Sequence, residues 1–304
     1  MKVQILLSTY NGEKYLRPQL DSFLSLRDVE LSVLIRDDGS CDTTPEILRE
    51  YRDKHGFEVI FGENIGINRS VYELARARDK ECDFFAFADQ DDIWLEDKLS
   101  RAVALMGDFD APTLHAGTSY LTDDLLNIKG TTAKIRRPLG FYNAMVENMC
   151  IGHTLVLNAS LMDIYARNFS DGIFVYDYWA YIIASAFGSI VYDATPETYY
   201  RQHGENAIGY KSGFFSRLKV RIGRVLSGKS HYNARQLRAF LDTFGDKIPE
   251  HYRHEAEDFF KSDRSFFSRL GYIFRTKAYR QGVGEGIIFR LMYLFGRYRL
   301  TDNN

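Results

Sequence analysis

The chain has 304 residues, 45% hydrophobic and 26% charged, with a formal net charge of −2, the make-up of a globular protein with a sizeable core in one large domain or two modest ones. Three dispersed cysteines without a C-x-x-C pair argue against a disulfide framework and for a reducing cytosol, no stretch approaches the ~18 apolar residues of a membrane span, and the N-terminus reads as a strand rather than a signal peptide. The near-neutral total hides an asymmetry: residues 1–209 hold 20 Lys and Arg against 32 Asp and Glu, whereas residues 210–304 hold 19 against 9. An acidic front and a basic tail imply two tasks, the tail's partner being anionic.

In chain order, Val3–Leu7 reads as a strand, followed by the polar turn Ser8–Gly12 and a helix over 13–26 with Leu16, Leu20, Phe23 and Leu24 on one face. Leu31–Ile35 is a second strand that ends in Arg36-Asp37-Asp38-Gly39-Ser40. A helix capped by Thr43 or Thr44, with Pro45 in its first turn, runs through Tyr51. Glu58–Phe61 is a third strand, then Asn64-Ile65-Gly66 and a helix over 68–79. The aromatic run Phe84–Ala88 is a fourth, buried strand that breaks into Asp89-Gln90-Asp91-Asp92. Further on, strands are expected at 113–118, 155–157, 189–192 and 197–201, with helices at 141–147, 158–168 and 176–187. The tail reads as helices at 214–226, 232–244, 251–260, 266–277 and 286–297. Strands alternating with helices predict an α/β fold, a mostly parallel sheet with helices on both faces, followed by an α-helical C-terminal region. The division is drawn as 1–209 and 210–304.

In such sheets ligands bind beyond the carboxyl ends of the strands. The polar groups Ser8–Asn11, Asp37–Ser40, Asn64–Gly66 and Asp89–Asp92 all fall there. Three carboxylates within four residues repel one another, and a divalent cation offsets that repulsion while leaving positions for a diphosphate. The plain alternative is a solvated acidic turn that caps the next helix. The first turn is Ser8-Thr9-Tyr10-Asn11-Gly12-Glu13, not G-x-G-x-x-G, so a dinucleotide-dependent oxidoreductase is set aside.

Ser8-Thr9-Tyr10-Asn11-Gly12, Arg36-Asp37-Asp38-Gly39-Ser40 and Asp89-Gln90-Asp91-Asp92, in that order, resemble glycosyltransferase family 2 with its Rossmann-like GT-A fold, over about the first 210 residues. Phe87-Ala88-Asp89-Gln90-Asp91-Asp92-Ile93-Trp94, Val175-Tyr176-Asp177-Tyr178-Trp179 and Tyr200-Arg201-Gln202-His203 are similar to bacterial rhamnosyltransferases of cell-wall and capsular polysaccharides. The resemblance implies an inverting, metal-dependent transfer of a sugar, L-rhamnose from dTDP-rhamnose first, to a saccharide or lipid-linked acceptor. A UDP-hexose donor and a non-catalytic nucleotide-sugar-binding subunit are the alternatives.

By the same resemblance, Asp91 ligates Mn²⁺ or Mg²⁺, and Asp89 shares the metal or faces the ribose. His203 is a further metal or diphosphate ligand or a structural histidine. Asp38 accepts from the pyrimidine N3–H, Tyr10 stacks on the base and Ser8 bonds its edge. Asn64 and Arg69 touch ribose or base, or serve helix entry. Asp177 is the general base or a helix-start carboxylate; the preceding Tyr176 departs from the Glu or His of relatives. Asp92, Trp179 and Arg201 contact acceptor or diphosphate; the alternatives are an N-cap for Asp92, core packing for Trp179 and a surface charge for Arg201. His153 stands where a glycine is usual.

The basic tail, interleaved with Phe, Tyr and Leu, suits an anionic membrane surface on the cytoplasmic side of the cell membrane, so peripheral attachment is expected. A homo-oligomer contact is the alternative, and no motif supports nucleic-acid binding. A processive synthase would need spanning helices and Q-x-x-R-W, where this sequence has Arg201-Gln202-His203.

Overall fold

A computed structural model describes residues 1–107, 110–202 and 231–300. These divide into two compact units, each continuous in space but not in sequence: 1–134, 150–168 and 188–202 form one, and 135–149, 169–187 and 231–300 the other. Two segments that precede the expected boundary at 209/210, 135–149 and 169–187, thus group with the second unit. Segment 169–187, with its helix, belongs with the tail helices.

The first unit is built on one sheet. Its strands are β1 (Lys2–Thr9), β2 (Glu30–Asp37), β3 (Glu58–Phe61), β4 (Phe84–Ala88), β5 (Ile93–Trp94), β6 (Thr113–Thr122), β7 (Ile128–Thr131), β8 (Val156–Asn158) and β9 (Ser189–Arg201). The spatial order is β3-β2-β1-β4-β8-β6-β9-β5, with β7 paired to β6. β1 pairs in parallel with β2 and β4, β2 with β3, and β6 with β9, while β8 is antiparallel to both its neighbours.

Val3, Ile5, Leu7, Phe84, Ala86 and Ala88 point to one face and bury against α1 (Leu16–Leu24), α2 (Thr44–His55) and α4 (Lys98–Met106) through Leu20, Phe23, Leu48, Leu99 and Met106. The opposite face is covered by α3 (Ile67–Ala77) and α6 (Ala159–Arg167), where Phe87 lies 5.4 Å from Tyr165. Burial on both faces is why β4 is apolar throughout instead of alternating. The chain leaves β1 toward β2 and β3, then returns to the other side of β1 with β4. The carboxyl ends of β1, β2 and β4 thus flank a topological switch point, the usual ligand crevice of such sheets.

The second unit holds α5 (Phe141–Ala144), α7 (Tyr176–Phe187), α8 (His231–Phe244), α9 (Glu250–Lys261), α10 (Phe266–Arg275) and α11 (Val283–Leu294). Nearly every residue of α7 is buried, as expected of a helix that is apolar all round. Trp179 packs 6.2 Å from Phe240 and 5.9 Å from Phe244, and Tyr181 Oη donates to Asn143 Oδ1 at 2.7 Å. Phe259, Tyr272 and Tyr293 knit α9, α10 and α11 together, the last two rings 4.4 Å apart.

Strands over 58–61 and 84–88 and the helix over 176–187 match the expected spans to the residue. β9 runs unbroken over Ser189–Arg201 where two strands were expected, its register against β6 shifting beside Thr118. β5 and β7 were not foreseen, and the helix expected over 214–226 lies outside the described residues. No helix among the described residues is long and apolar enough to cross a membrane. Cys41, Cys82 and Cys150 are all free thiols.

Candidate active site

At the end of β2, Arg36 and Asp38 share one side of the extended chain and form a buried ion pair. The same guanidinium donates to Ser70 Oγ at 3.2 Å and to the Glu63 carbonyl at 3.0 Å. Asp38 also accepts from the backbone N–H groups of Ile65 (3.1 Å) and Gly66 (2.9 Å). Of the roughly four lone-pair sites on a carboxylate, three are taken, and one on Oδ2 is left. Ser8 Oγ meets Ser70 Oγ at 2.6 Å. Asn64 and Arg69 are exposed at the mouth of α3, with Asn64 Oδ1 accepting from the Gly66 N–H at 3.2 Å. Tyr10 is 45% exposed, so a ring face is open to a planar partner.

Gln90, unremarked in the sequence, ties this region to the acidic loop. Its Oε1 accepts from Thr9 Oγ1 at 2.6 Å and from the Tyr10 N–H at 2.9 Å, while its Nε2 donates to the Tyr10 carbonyl at 3.2 Å. Gly12 makes room for it: a Cβ there would stand 2.7 Å from Gln90 Oε1 and 2.8 Å from Thr9 Oγ1.

The acidic loop follows β4. Asp89 and Asp91 are half-buried and Asp92 is fully buried. Asp92 Oδ2 faces His153 Nδ1 at 3.2 Å, and Asp89 Oδ2 lies 3.6 Å from the same nitrogen. His153, also fully buried, is fixed on its other side by Ser119 Oγ, 2.8 Å from Nε2, and its ring lies 4.6 Å from that of Tyr200. Burial drives the Asp92 carboxyl well up from its usual range, against the pull of His153 and with a push from Asp91 and Asp89. Burial works to lower the His153 ring, but the carboxylates of Asp92 and Asp89 outweigh it and the net shift is upward. Both groups lean toward their protonated forms.

The acidic groups fit a cation. Asp89, Asp92 and His153 bring one ligand atom each within 4.8 Å of one another. The facing Asp92 Oδ2 and His153 Nδ1 are buried and have no well-angled hydrogen-bond partner. Carboxylate oxygens with one imidazole nitrogen can hold Mn²⁺. Asp91, the expected ligand, is not one of the converging three, and His203 lies outside the described residues.

The three residues expected to touch acceptor or diphosphate, Asp92, Trp179 and Arg201, are all buried. Asp92 belongs to the floor of the acidic cluster. Trp179 packs on Phe240 and Phe244, as its core alternative had it. Arg201 is not a surface charge. Its Nε donates to the Asp91 carbonyl at 3.1 Å, its Nη1 to the Asp124 carbonyl, and its backbone N–H to Asp92 Oδ1 at 3.3 Å; the guanidinium also sits 4.9 Å from the Tyr15 ring centroid. It braces the loop.

In the second unit, Asp177 sits in the first turn of α7, where the helix N-terminus favours a negative charge. Its Oδ1 accepts from Asn148 Nδ2 at 2.9 Å and from the Tyr178 N–H at 2.5 Å.

Signals for two of the missed residues were present. The i, i+2 spacing of Arg36 and Asp38 puts both on one strand face, and a histidine in a Gly-His-Thr turn is a ready ligand or brace. Nothing local announced that Ser119 or Ser70 would complete the groups.

Comparison with known proteins fits this geometry. The family model "Glycosyl transferase family 2" matches residues 4–147. The dTDP-rhamnosyl transferase RfbG of Shigella flexneri is 27% identical over 228 residues, covering 72% of this chain and 78% of that protein. The UDP-Glc:alpha-D-GlcNAc-diphosphoundecaprenol beta-1,3-glucosyltransferase WfgD of Escherichia coli is 26% identical over 53% of this chain, a match that spans 62% of that protein's length. Among solved structures, S. aureus TarS 1–349 in complex with UDP-GlcNAc superposes with a TM-score of 0.59 at 18% identity, covering 98% of this chain and 82% of that one. The fold is GT-A, residues 4–147 match glycosyltransferase family 2, and together with the named relatives this supports a glycosyltransferase.

Proposed function

We propose that the protein transfers L-rhamnose, with inversion, from dTDP-rhamnose to a saccharide acceptor, lipid-linked, in the synthesis of a cell-surface polysaccharide. The observation that carries this reading is the acidic loop at the end of β4 beside the braced Asp38 carboxylate at the end of β2. Asp38 keeps one acceptor position for a pyrimidine N3–H, and the open Tyr10 ring offers a stacking face to the base. Asp89 and Asp91, with Asp92 and His153 behind, would hold Mn²⁺ or Mg²⁺, which when bound neutralises charge building on the leaving diphosphate. Asp177, oriented by Asn148, is the carboxylate assigned to take the acceptor hydroxyl proton. The rhamnose donor is favoured by similarity to RfbG. We further assign the basic tail to the inner, anionic face of the cell membrane, where a lipid-linked acceptor would be met.

A UDP-hexose donor is the second reading, favoured by the donors named for WfgD and TarS. Thermal-shift measurements with Mn²⁺ and dTDP-rhamnose, UDP-glucose, UDP-galactose or UDP-GlcNAc separate the two, because a ligand at a hundred times its Kd stabilises by about 2.7 kcal/mol. The largest rise is expected with dTDP-rhamnose; a larger one with a UDP-hexose transfers the assignment to that donor. Absence of turnover with every donor and a saccharide acceptor would leave only a nucleotide-sugar-binding role.

A further inference from the structure

The second unit carries an apolar surface that the transfer reaction does not use. On α10, Phe267 and Phe274, seven residues apart and so on one helix face, are 81% and 83% exposed. On α11, Val283, Ile287 and Leu291 recur every four residues and continue into Phe295; these are 83%, 54%, 49% and 68% exposed. The opposite sides of the same helices bury Tyr272, Phe289 and Tyr293. The outward stripes are therefore not frayed ends of a loose helix. Arg269 Nε bonds the Leu294 carbonyl at 2.9 Å and Arg290 Nε the Ile273 carbonyl at 3.1 Å, which locks α10 to α11. Six large exposed apolar side chains on one locked helix pair exceed the scattered exposure normal for a surface.

Charge says what covers them. Between residues 263 and 299 the sequence has eight Arg and Lys against Asp263 and Glu285; Arg269, Arg275 and Arg280 are ion-paired with Asp263, Asp258 and Glu147. Arg264 and Lys277, which bracket α10 in sequence, and Arg299, which follows α11, are exposed. A second copy docked about a two-fold axis would set this cationic flank against itself. A bilayer rich in anionic headgroups meets both needs, taking the apolar side chains at the acyl boundary and the cations at the phosphates.

We propose that α10 and α11 form an amphipathic docking surface for an anionic bilayer, with Phe267, Phe274, Val283, Ile287, Leu291 and Phe295 entering its acyl boundary. This deepens the membrane reading above and rests on it.

The test is co-sedimentation of the full chain with vesicles of phosphatidylcholine, with or without a third of phosphatidylglycerol. The comparison is the exposed-site variant Phe267→Ser/Phe274→Ser/Phe295→Ser, whose melting temperature should match the wild type. The wild type is expected to bind the phosphatidylglycerol vesicles and hardly the neutral ones, and the variant to bind them at least about tenfold more weakly. Equal binding by the variant overturns the insertion while leaving a purely electrostatic membrane contact. Failure of the wild type to bind either vesicle overturns both. A wild-type dimer in light scattering that the variant dissociates, with vesicle binding unchanged, makes a second copy the occupant and overturns the proposal.

Discussion

Replacing Lys98 by methionine tests how the end of β9 is held. Lys98 Nζ and Glu197 Oε1 are 2.6 Å apart with neither side chain exposed, and the ammonium lies 4.6 Å from the Trp94 ring centroid. Gly117 leaves the space the Glu197 carboxyl fills, since a Cβ there would collide with it. Without Lys98, the nearest cationic candidate for Glu197 is His115 Nε2 at 3.8 Å. Burial, with a smaller push from Lys98 itself, holds the His115 ring below its ordinary range despite Glu197, and the burial that opposes its charging remains when Lys98 is gone. Removing one partner of a buried pair costs about 3–5 kcal/mol, a fall in melting temperature of roughly 10 °C for a chain of this size. The double variant Lys98→Met/Glu197→Met removes both charges at similar volume and should recover most of that loss. Calorimetry and denaturant unfolding of the wild type and the two variants at pH 7.5 give the answer. A single variant within about 1 kcal/mol of wild type, or a double variant less stable than the single, refutes the reasoning.

Asp177→Asn should reduce turnover by ~10² or more while donor-induced thermal stabilisation persists; near-normal turnover removes the general-base assignment. Asp89→Ala/Asp91→Ala should abolish the extra melting-temperature rise that Mn²⁺ gives with donor, and full transferase activity in that variant would sink the metal reading. Gly12→Ala pushes a methyl against Gln90 and should cost about 1–3 kcal/mol. In a Gln90→Ala background the same change should cost much less, and simple additivity in denaturant unfolding would count against the contact. His115 is neutral when folded and has a depressed pKa, so the unfolded chain takes up its proton first. Stability should therefore fall as pH drops below ~6.5, until the folded ring itself titrates, at up to about 1.4 kcal/mol per pH unit from this group. Urea unfolding from pH 7.5 to 5 should show a shallower fall in His115→Phe, and an unchanged profile would discount the histidine.

The parts of the fold legible in the sequence are those whose signal is local. The apolar run Phe84–Ala88 and the uniformly apolar α7 declare burial by composition, and their spans match. β5 has two residues, too few for any period, and exists because Ile93 and Trp94 pair with Tyr199 and Thr198 a hundred residues away. Two strands were expected where β9 runs unbroken, and the strand passes through Pro196 at the register shift beside Thr118. The acidic loop could be found from charge alone. The buried partners of that loop could not: His153 and Ser119 are 34 residues apart, and only the sheet brings them together. For Arg201 the sequence offers a contact to acceptor or diphosphate, or a surface charge, because nothing nearby in sequence shows that two carbonyls and an aromatic ring surround it. The two-unit division was hidden for the same reason, since α7 lies deep in the first 209 residues while its aromatic neighbours Phe240 and Phe244 come from the tail.

Arg201 holds the acidic loop in part through main-chain oxygen: its Nε takes the carbonyl of Asp91 at 3.1 Å, and its own backbone N–H reaches Asp92 Oδ1 at 3.3 Å. The end of β9 is thus tied to the loop after β4 by a peptide oxygen that every residue carries, so this one bond stays available whatever side chain stands at 91.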